Sequence, residues 1–165
     1  MTAANLSRAF PGDAPKGDGR QSATALGIQR GVVRLLATHG LAAVTELTLA
    51  SGRRADVVGL SEKGDLWIVE IKSSVEDFRS DHKWAEYRDF SDRLFFAVEP
   101  GFPVDILPED AGLILADRHG GEIVRQAPEI RLAGARRIAV TLRFARVAAA
   151  RLTVLDDPGS GLGEF

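Results

Sequence analysis

The spacing of apolar residues changes along the chain, and each change marks an element. Leu26, Ile28, Val32, Val33, Leu35 and Leu36 recur at helical spacing and predict an amphipathic helix. Ser22 or Thr24 can cap its start, and Gly40 supplies a left-handed stop. Leu41 to Leu49 reads as a strand, with Thr45, Leu47 and Leu49 expected on one face and Val44, Glu46 and Thr48 on the other. Residues 54–60 and 66–72 are two further strands, rich in Val, Ile and Leu and joined by a turn of hairpin composition at Ser61–Asp65. Both faces of these two strands are apolar, which predicts a sheet covered on both sides, usually by helices.

Beyond Lys72 the period lengthens again. Ser74 offers an N-cap, with Asp77 three residues later as a weak capping box. The helical character of residues 75–91 is interrupted by Ser80, Asp81 and His82, so two short helices are expected. Arg93–Val98 is a strand. A strand–helix–strand unit of this kind implies a right-handed crossover and parallel pairing. Residues 112–116 and 121–125 form a hairpin around the turn at 118–121. Ile138, Leu142, Ala145, Ala149 and Leu152 step by four and three and mark a last helix whose stripe is expected to pack on the core. The predicted fold class is α/β, with a mixed central sheet flanked by helices.

Composition bounds this picture. The 165 residues, 45% hydrophobic and 27% charged, fit one domain of ordinary size. The expected organisation is a flexible N-terminal arm over 1–21, a domain over 22–156 and a flexible tail over 157–165. The arm is rich in Gly, Pro, Asp and Lys and holds too little apolar surface to offset its ordering entropy. The absence of Cys excludes disulfides and thiolate metal sites. No signal pattern opens the chain and no apolar run approaches spanning length, so a cytoplasmic protein with no membrane partner is expected. The net charge of −2 argues against tight nonspecific nucleic-acid binding by charge alone, although 21 Lys and Arg leave room for a local basic patch.

Three charges interrupt the strand cores: Asp56 in the first, and Glu70 and Lys72 in the second. Charged groups are rarely buried without partners. If Leu60 pairs with Leu66, antiparallel counting sets Val58 against Ile68 and Asp56 against Glu70. Period-two alternation then places Asp56, Glu70 and Lys72 in one patch. A cross-strand Asp–Lys or Glu–Lys pair is also a common sheet salt bridge, and three residues alone leave that reading open.

Asp56 followed by Glu70-Ile71-Lys72 on adjacent strands, with a helix directly after, resembles the PD-(D/E)xK nuclease superfamily. The element order resembles its restriction-endonuclease-like αβββαβ core. Arg53-Arg54-Ala55-Asp56-Val57-Val58, Ile68-Val69-Glu70-Ile71-Lys72-Ser73-Ser74 and the run from Lys83 to Val98 are similar to the MmcB-like family of DNA-repair endonucleases, over roughly residues 22–155. Ala55 stands where the superfamily's name has Pro, a residue with no chemical part to play. The resemblance implies a metal-dependent DNA endonuclease. Its catalytic residues would be Asp56, Glu70 and Lys72. Mg²⁺ or Mn²⁺ would be held by Asp56, Glu70 and the Ile71 backbone carbonyl, with Glu46 a candidate third acid. Hard cations take such oxygen ligands, and Lys72 would stabilise developing negative charge. The alternative is a catalytically silent module of this fold that binds DNA or a repair protein.

Arg53, Arg54, Lys83, Trp84 and Tyr87 are candidate nucleic-acid contacts, the aromatics by stacking; core packing is the competing role for Trp84 and a solvated turn for Arg53. His39, His82 and His119 are isolated. Arg136, Arg137, Arg143 and Arg146 can form a basic face or an ordinary solvated one. A homodimer is compatible with the sequence, but no seam is apparent in it.

Overall fold

A computed structural model describes residues 22–161. The expected arm over 1–21 and residues 162–165 of the expected tail lie outside the described residues. Helix α1 (Ala23–Thr38) is capped by Ser22, whose side chain accepts the Ala25 N–H at 3.1 Å. It ends before Gly40, at φ 73°, the left-handed stop that the sequence predicts. Strands β1 (Leu41–Thr48), β2 (Arg54–Ser61) and β3 (Leu66–Ile71) follow as an antiparallel meander. Helix α2 (Val75–Ser80) and a 3-10 segment, Trp84–Phe90, are the two short helices expected after Lys72. Then come β4 (Arg93–Val98), β5 (Gly112–Ala116), β6 (Gly121–Arg125) and α3 (Gly134–Asp156).

The six strands form one sheet in the order β1-β2-β3-β4-β5-β6. β3, β4 and β5 are parallel, and β6 returns antiparallel to β5, so the sheet is mixed. It is covered on both faces, as its two-sided apolar strands require. On one face α1 buries Ile28, Val32 and Leu36 against Val57, Val69, Phe95 and Ile114. On the other, Val140, Phe144 and Val147 of α3 pack on Val58, Leu66, Ile68 and Leu94. Packing at the centre is close: a Cβ added to Gly112 would clash with the Phe95 ring. No helix among the described residues is long and apolar enough to cross a membrane.

Two expectations are corrected. Val44 and Leu47, predicted on opposite faces of β1, both belong to the α3-side core, and so do Ala55 and Val58 on β2. Strict alternation would split each pair. The cause is Glu46, whose φ of 50° is left-handed, a costly conformation for a side chain of this kind. It rotates the strand and interrupts the ladder between the Thr45–Val57 and Leu47–Ala55 pairs. The second correction concerns α3. Its stripe Ile138, Leu142, Ala145, Ala149 and Leu152 faces solvent, while Val140, Phe144 and Val147 are buried. The helix is apolar on two opposite sides, so spacing alone could not say which side meets the sheet.

Candidate active site

The β2–β3 register matches the count made from the sequence: Leu60 pairs with Leu66 and Val58 with Ile68. The ladder stops after Val57–Val69, one step short of Asp56 and Glu70. Beyond it the carboxylates bridge the strands in place of carbonyls. The Asp56 N–H donates to Glu70 Oε1 at 3.3 Å, and the Ile71 N–H donates to Asp56 Oδ2 at 2.8 Å. Each acid is thus fixed by the other's strand. On its other side β3 stays parallel to β4, and the Lys72 N–H donates to the Ala97 carbonyl at 2.9 Å. The patch therefore sits at the carboxyl end of a parallel pair, where open α/β sheets form binding crevices.

Glu70 and Lys72 are each only 4% exposed. They lie in the wall of a cleft of about 660 Å³ that Asp56, Ile71, Asp77 and Asp81 also line. Lys72 Nζ donates to Asp81 Oδ2 at 2.6 Å. Asp77 accepts from the Ser73 N–H and hydroxyl, while its own N–H donates to the Ser74 side chain. The sequence reading missed both acids as members of the site. Asp77 registered only as a cap, and Asp81 only as a polar break. That break was the signal: a helix ending after Ser80 returns the chain to Lys72.

Electrostatics set the two central acids apart. Burial, above all, pushes the Asp56 pKa up to about 6; the Ile71 amide and Lys72 pull it down, and Asp77 and Glu46 push it up again. Burial and then the Asp56 charge push Glu70 well above the usual carboxylate range, against Lys72 and the Asp56 amide. For Lys72 burial pulls downward, but the bond to Asp81 and the charge of Glu70 outweigh it and raise the pKa. Asp81 is held low by Lys72 and the Lys83 amide despite the opposing effect of burial.

The other predicted residues divide. Arg53, Arg54, Lys83 and Tyr87 line the cleft. Arg53 pairs with Glu86 at 3.0 Å. The Tyr87 hydroxyl donates to the Arg54 carbonyl at 2.9 Å. That bond ties the 3-10 segment to β2 beside Asp56; burial, followed by the charges of Glu70 and Asp56, pushes the hydroxyl pKa upward. Trp84 is not brought to the cleft. Its ring packs edge-on to Phe96 at 5.2 Å, beneath the Arg88 guanidinium. Glu46 sits close enough to act on Asp56, with its carboxylate 3.7 Å from the Arg54 guanidinium.

No group of three or more His, Cys, Asp or Glu side chains is placed to hold a metal ion among the described residues. Asp56 and Glu70 nonetheless suit a hard cation. They are desolvated neighbours that repel one another, so a divalent ion stabilises the doubly charged state that burial disfavours. Mg²⁺ retains waters and takes one or two carboxylates plus phosphate oxygens, which matches a two-acid set.

The family model described as DNA repair protein MmcB-like matches residues 12–159. The chain belongs to the MmcB-like family. Membership in the MmcB-like family places it among DNA repair proteins. No curated protein matches the chain. Among solved structures it is similar to the SPO1766 protein of unknown function from Silicibacter pomeroyi, at 45% identity and a TM-score of 0.83, over 88% of this chain and 100% of that one.

Proposed function

We propose that this chain is a metal-dependent DNA endonuclease of the PD-(D/E)xK type, hydrolysing phosphodiester bonds in DNA repair. The observation that carries the reading is the pair of desolvated acids, Asp56 and Glu70, beside Lys72 in an open cleft. Asp56 and Glu70, with the Ile71 backbone, would hold Mg²⁺ or Mn²⁺. The bound cation supplies charge neutralisation at the phosphoryl oxygens and a more acidic attacking water. Lys72, fixed by Asp81, places a positive charge where negative charge develops on the phosphoryl group. Arg53, Arg54 and Lys83 at the cleft would engage flanking phosphates, which position the strand without reading its sequence.

One observation favours a second reading, a catalytically silent module that binds DNA or a repair protein. Lys72 is committed to Asp81 at 2.6 Å, and a lysine neutralised in that way stabilises developing negative charge less. One experiment separates the two. Flaps, forks, gaps and single strands are incubated with the protein in Mg²⁺, Mn²⁺ or EDTA. The nuclease reading expects metal-dependent cutting that falls by about a thousandfold or more in Asp56→Ala, since the metal supplies most of the barrier lowering. Cutting undiminished in Asp56→Ala would sink the mechanism. Binding without cutting of any substrate would select the silent module.

A further inference from the structure

The outward face of α3 has no cover within the described chain. Ile138, Leu142 and Leu152 are 62%, 60% and 59% exposed, and Ala145 and Ala149 are exposed between them. They lie half a turn from the buried Val140, Phe144 and Val147. An apolar stripe this continuous on one helix exceeds the scattered apolar exposure of ordinary surfaces. We propose that α3 packs antiparallel against α3 of a second copy of this chain, about a two-fold axis near Ala145.

Three features point to a second copy. The first is spacing. The stripe steps four, three, four and three from Ile138 to Leu152, which keeps one seam facing a partner helix. The second is size. An antiparallel pair centred on Ala145 sets Ala145 against itself and Ile138 against Leu152, and brings Leu142 beside Ala149. Each Leu142 then meets a small residue, and the helices approach closely at the centre. A two-fold interface needs this self-complementarity.

The third feature is charge. A helix favours acids at its N-terminus and bases at its C-terminus, and α3 has the reverse. Ala133 caps it without a side-chain hydrogen bond, its first turn holds no acid, and its last turn holds no base. Arg136 and Arg137 stand at the start, and Asp156 and Asp157 at the end. Arg137 is neutralised by Asp92 at 2.6 Å, whereas Arg131 and Arg136 stand 3.9 Å from the carboxylates they pair with, Arg136 also donating to the Asp89 carbonyl at 3.1 Å. Antiparallel pairing brings the acidic end of each helix to the cationic end of the other. Parallel pairing would bring like ends together.

Sedimentation of the full chain over a concentration series tests this. The expected mass is twice 17.7 kDa, and Leu142→Glu should weaken the dimer by at least about 30-fold, as for loss of a central apolar anchor, with unchanged circular dichroism. The chain has no native Cys, so single cysteines report the geometry. Ala145→Cys should cross-link to itself on oxidation. Ile138→Cys alone should not, whereas a mixture of Ile138→Cys with Leu152→Cys should. Should Leu142→Glu lose its fold, the cross-linking pattern decides. A monomer at every concentration, a dimer indifferent to Leu142→Glu, or self-linking of Ile138→Cys as ready as that of Ala145→Cys would each overturn the proposal.

Discussion

Two sets of acids at opposite ends of β3 meet opposite fates. Asp92, at the start of β4, is 3% exposed and fully answered. It accepts the Leu66 N–H at 2.8 Å and the Leu132 N–H at 2.9 Å, and its two oxygens take the Arg137 guanidinium at 2.6 and 2.7 Å. Burial acts to raise its pKa, but Arg137 and the two amides outweigh it and hold the acid below the usual carboxylate range. Asp56 and Glu70, at the other end, accept one backbone amide each, and their pKa values are raised. Burial is common to both places; the difference is a cation supplied by the chain. A buried acid with its own arginine is a structural joint, here linking β3, β4 and α3. Glu70, buried, and Asp56, half-buried, have a nearby lysine tied to a third acid, which is why the proposed function takes its cation from outside.

Breaking the joint should have the larger effect. Asp92→Ala leaves the Leu66 and Leu132 amides without acceptors and Arg137 without its counter-ion, and such losses cost about 3 kcal/mol or more. Urea unfolding should show that drop. Glu70→Gln removes one of two repelling charges, so the same measurement in EDTA should show no loss. If Glu70→Gln unfolds as readily as Asp92→Ala, the two regions are both structural joints and the comparison fails.

The two regions should also respond oppositely to pH. Asp56 and Glu70 bind their protons more tightly in the folded state. Between the ordinary 3.8 of an Asp and about 6 for Asp56, the native protein keeps a proton that the unfolded chain has released. Stability in EDTA therefore falls as pH rises through that window, by on the order of 3 kcal/mol, and the full cost is present above it. Asp92 has the opposite sign: its contribution is complete above the unfolded pKa and is lost as pH falls below it. Melting temperatures measured from about pH 3 to 8 in EDTA should pass through a maximum between the two limbs. Mg²⁺ or Mn²⁺ should restore the high-pH limb and leave the low-pH limb unchanged. A metal effect equal at both ends would separate the cation from these carboxylates.

The sequence reading captured what depends on local chemistry. The Ser22 cap, the Gly40 stop, the Ser61–Asp65 turn and the β2–β3 register each follow from short-range rules, and the register alone brought Asp56 and Glu70 together. What it missed depends on long-range choices. Nothing in the local pattern around Glu46 signals a left-handed residue, because the strain is tolerated only when the surrounding fold fixes it. The two faces of α3 are both apolar, and the choice between them rests on the shape of the sheet. Trp84 follows the same logic. From the sequence it could be read either as a base-stacking ring or as a packing residue, and the fold decides for packing, with Phe96 and Arg88 closing around it. Asp81 was hidden because its partner, Lys72, lies nine residues away across a helix whose length the sequence did not fix.

Glu46 provides the finest test of the contrast between answered and unanswered acids, because it stands between the two cases. It lies in the strained turn of β1, and its charge contributes to raising Asp56. Its carboxylate also has a cation, the Arg54 guanidinium at 3.7 Å. An exposed pair at that distance contributes little to stability, so Arg54 could yield it to a metal. As long as the pair holds, Glu46 shapes the potential at Asp56 without ligating. Glu46→Gln should then lower metal-dependent cutting by only about threefold, equivalent to roughly 0.7 kcal/mol, and should shift the pH at which the metal begins to stabilise the protein slightly downward, because Asp56 loses a neighbouring negative charge. Titration of the metal-induced rise in melting temperature reads both effects. A loss approaching that of Asp56→Ala would make Glu46 a third ligand, and the cluster at the end of β3 would then be a three-acid site rather than a pair.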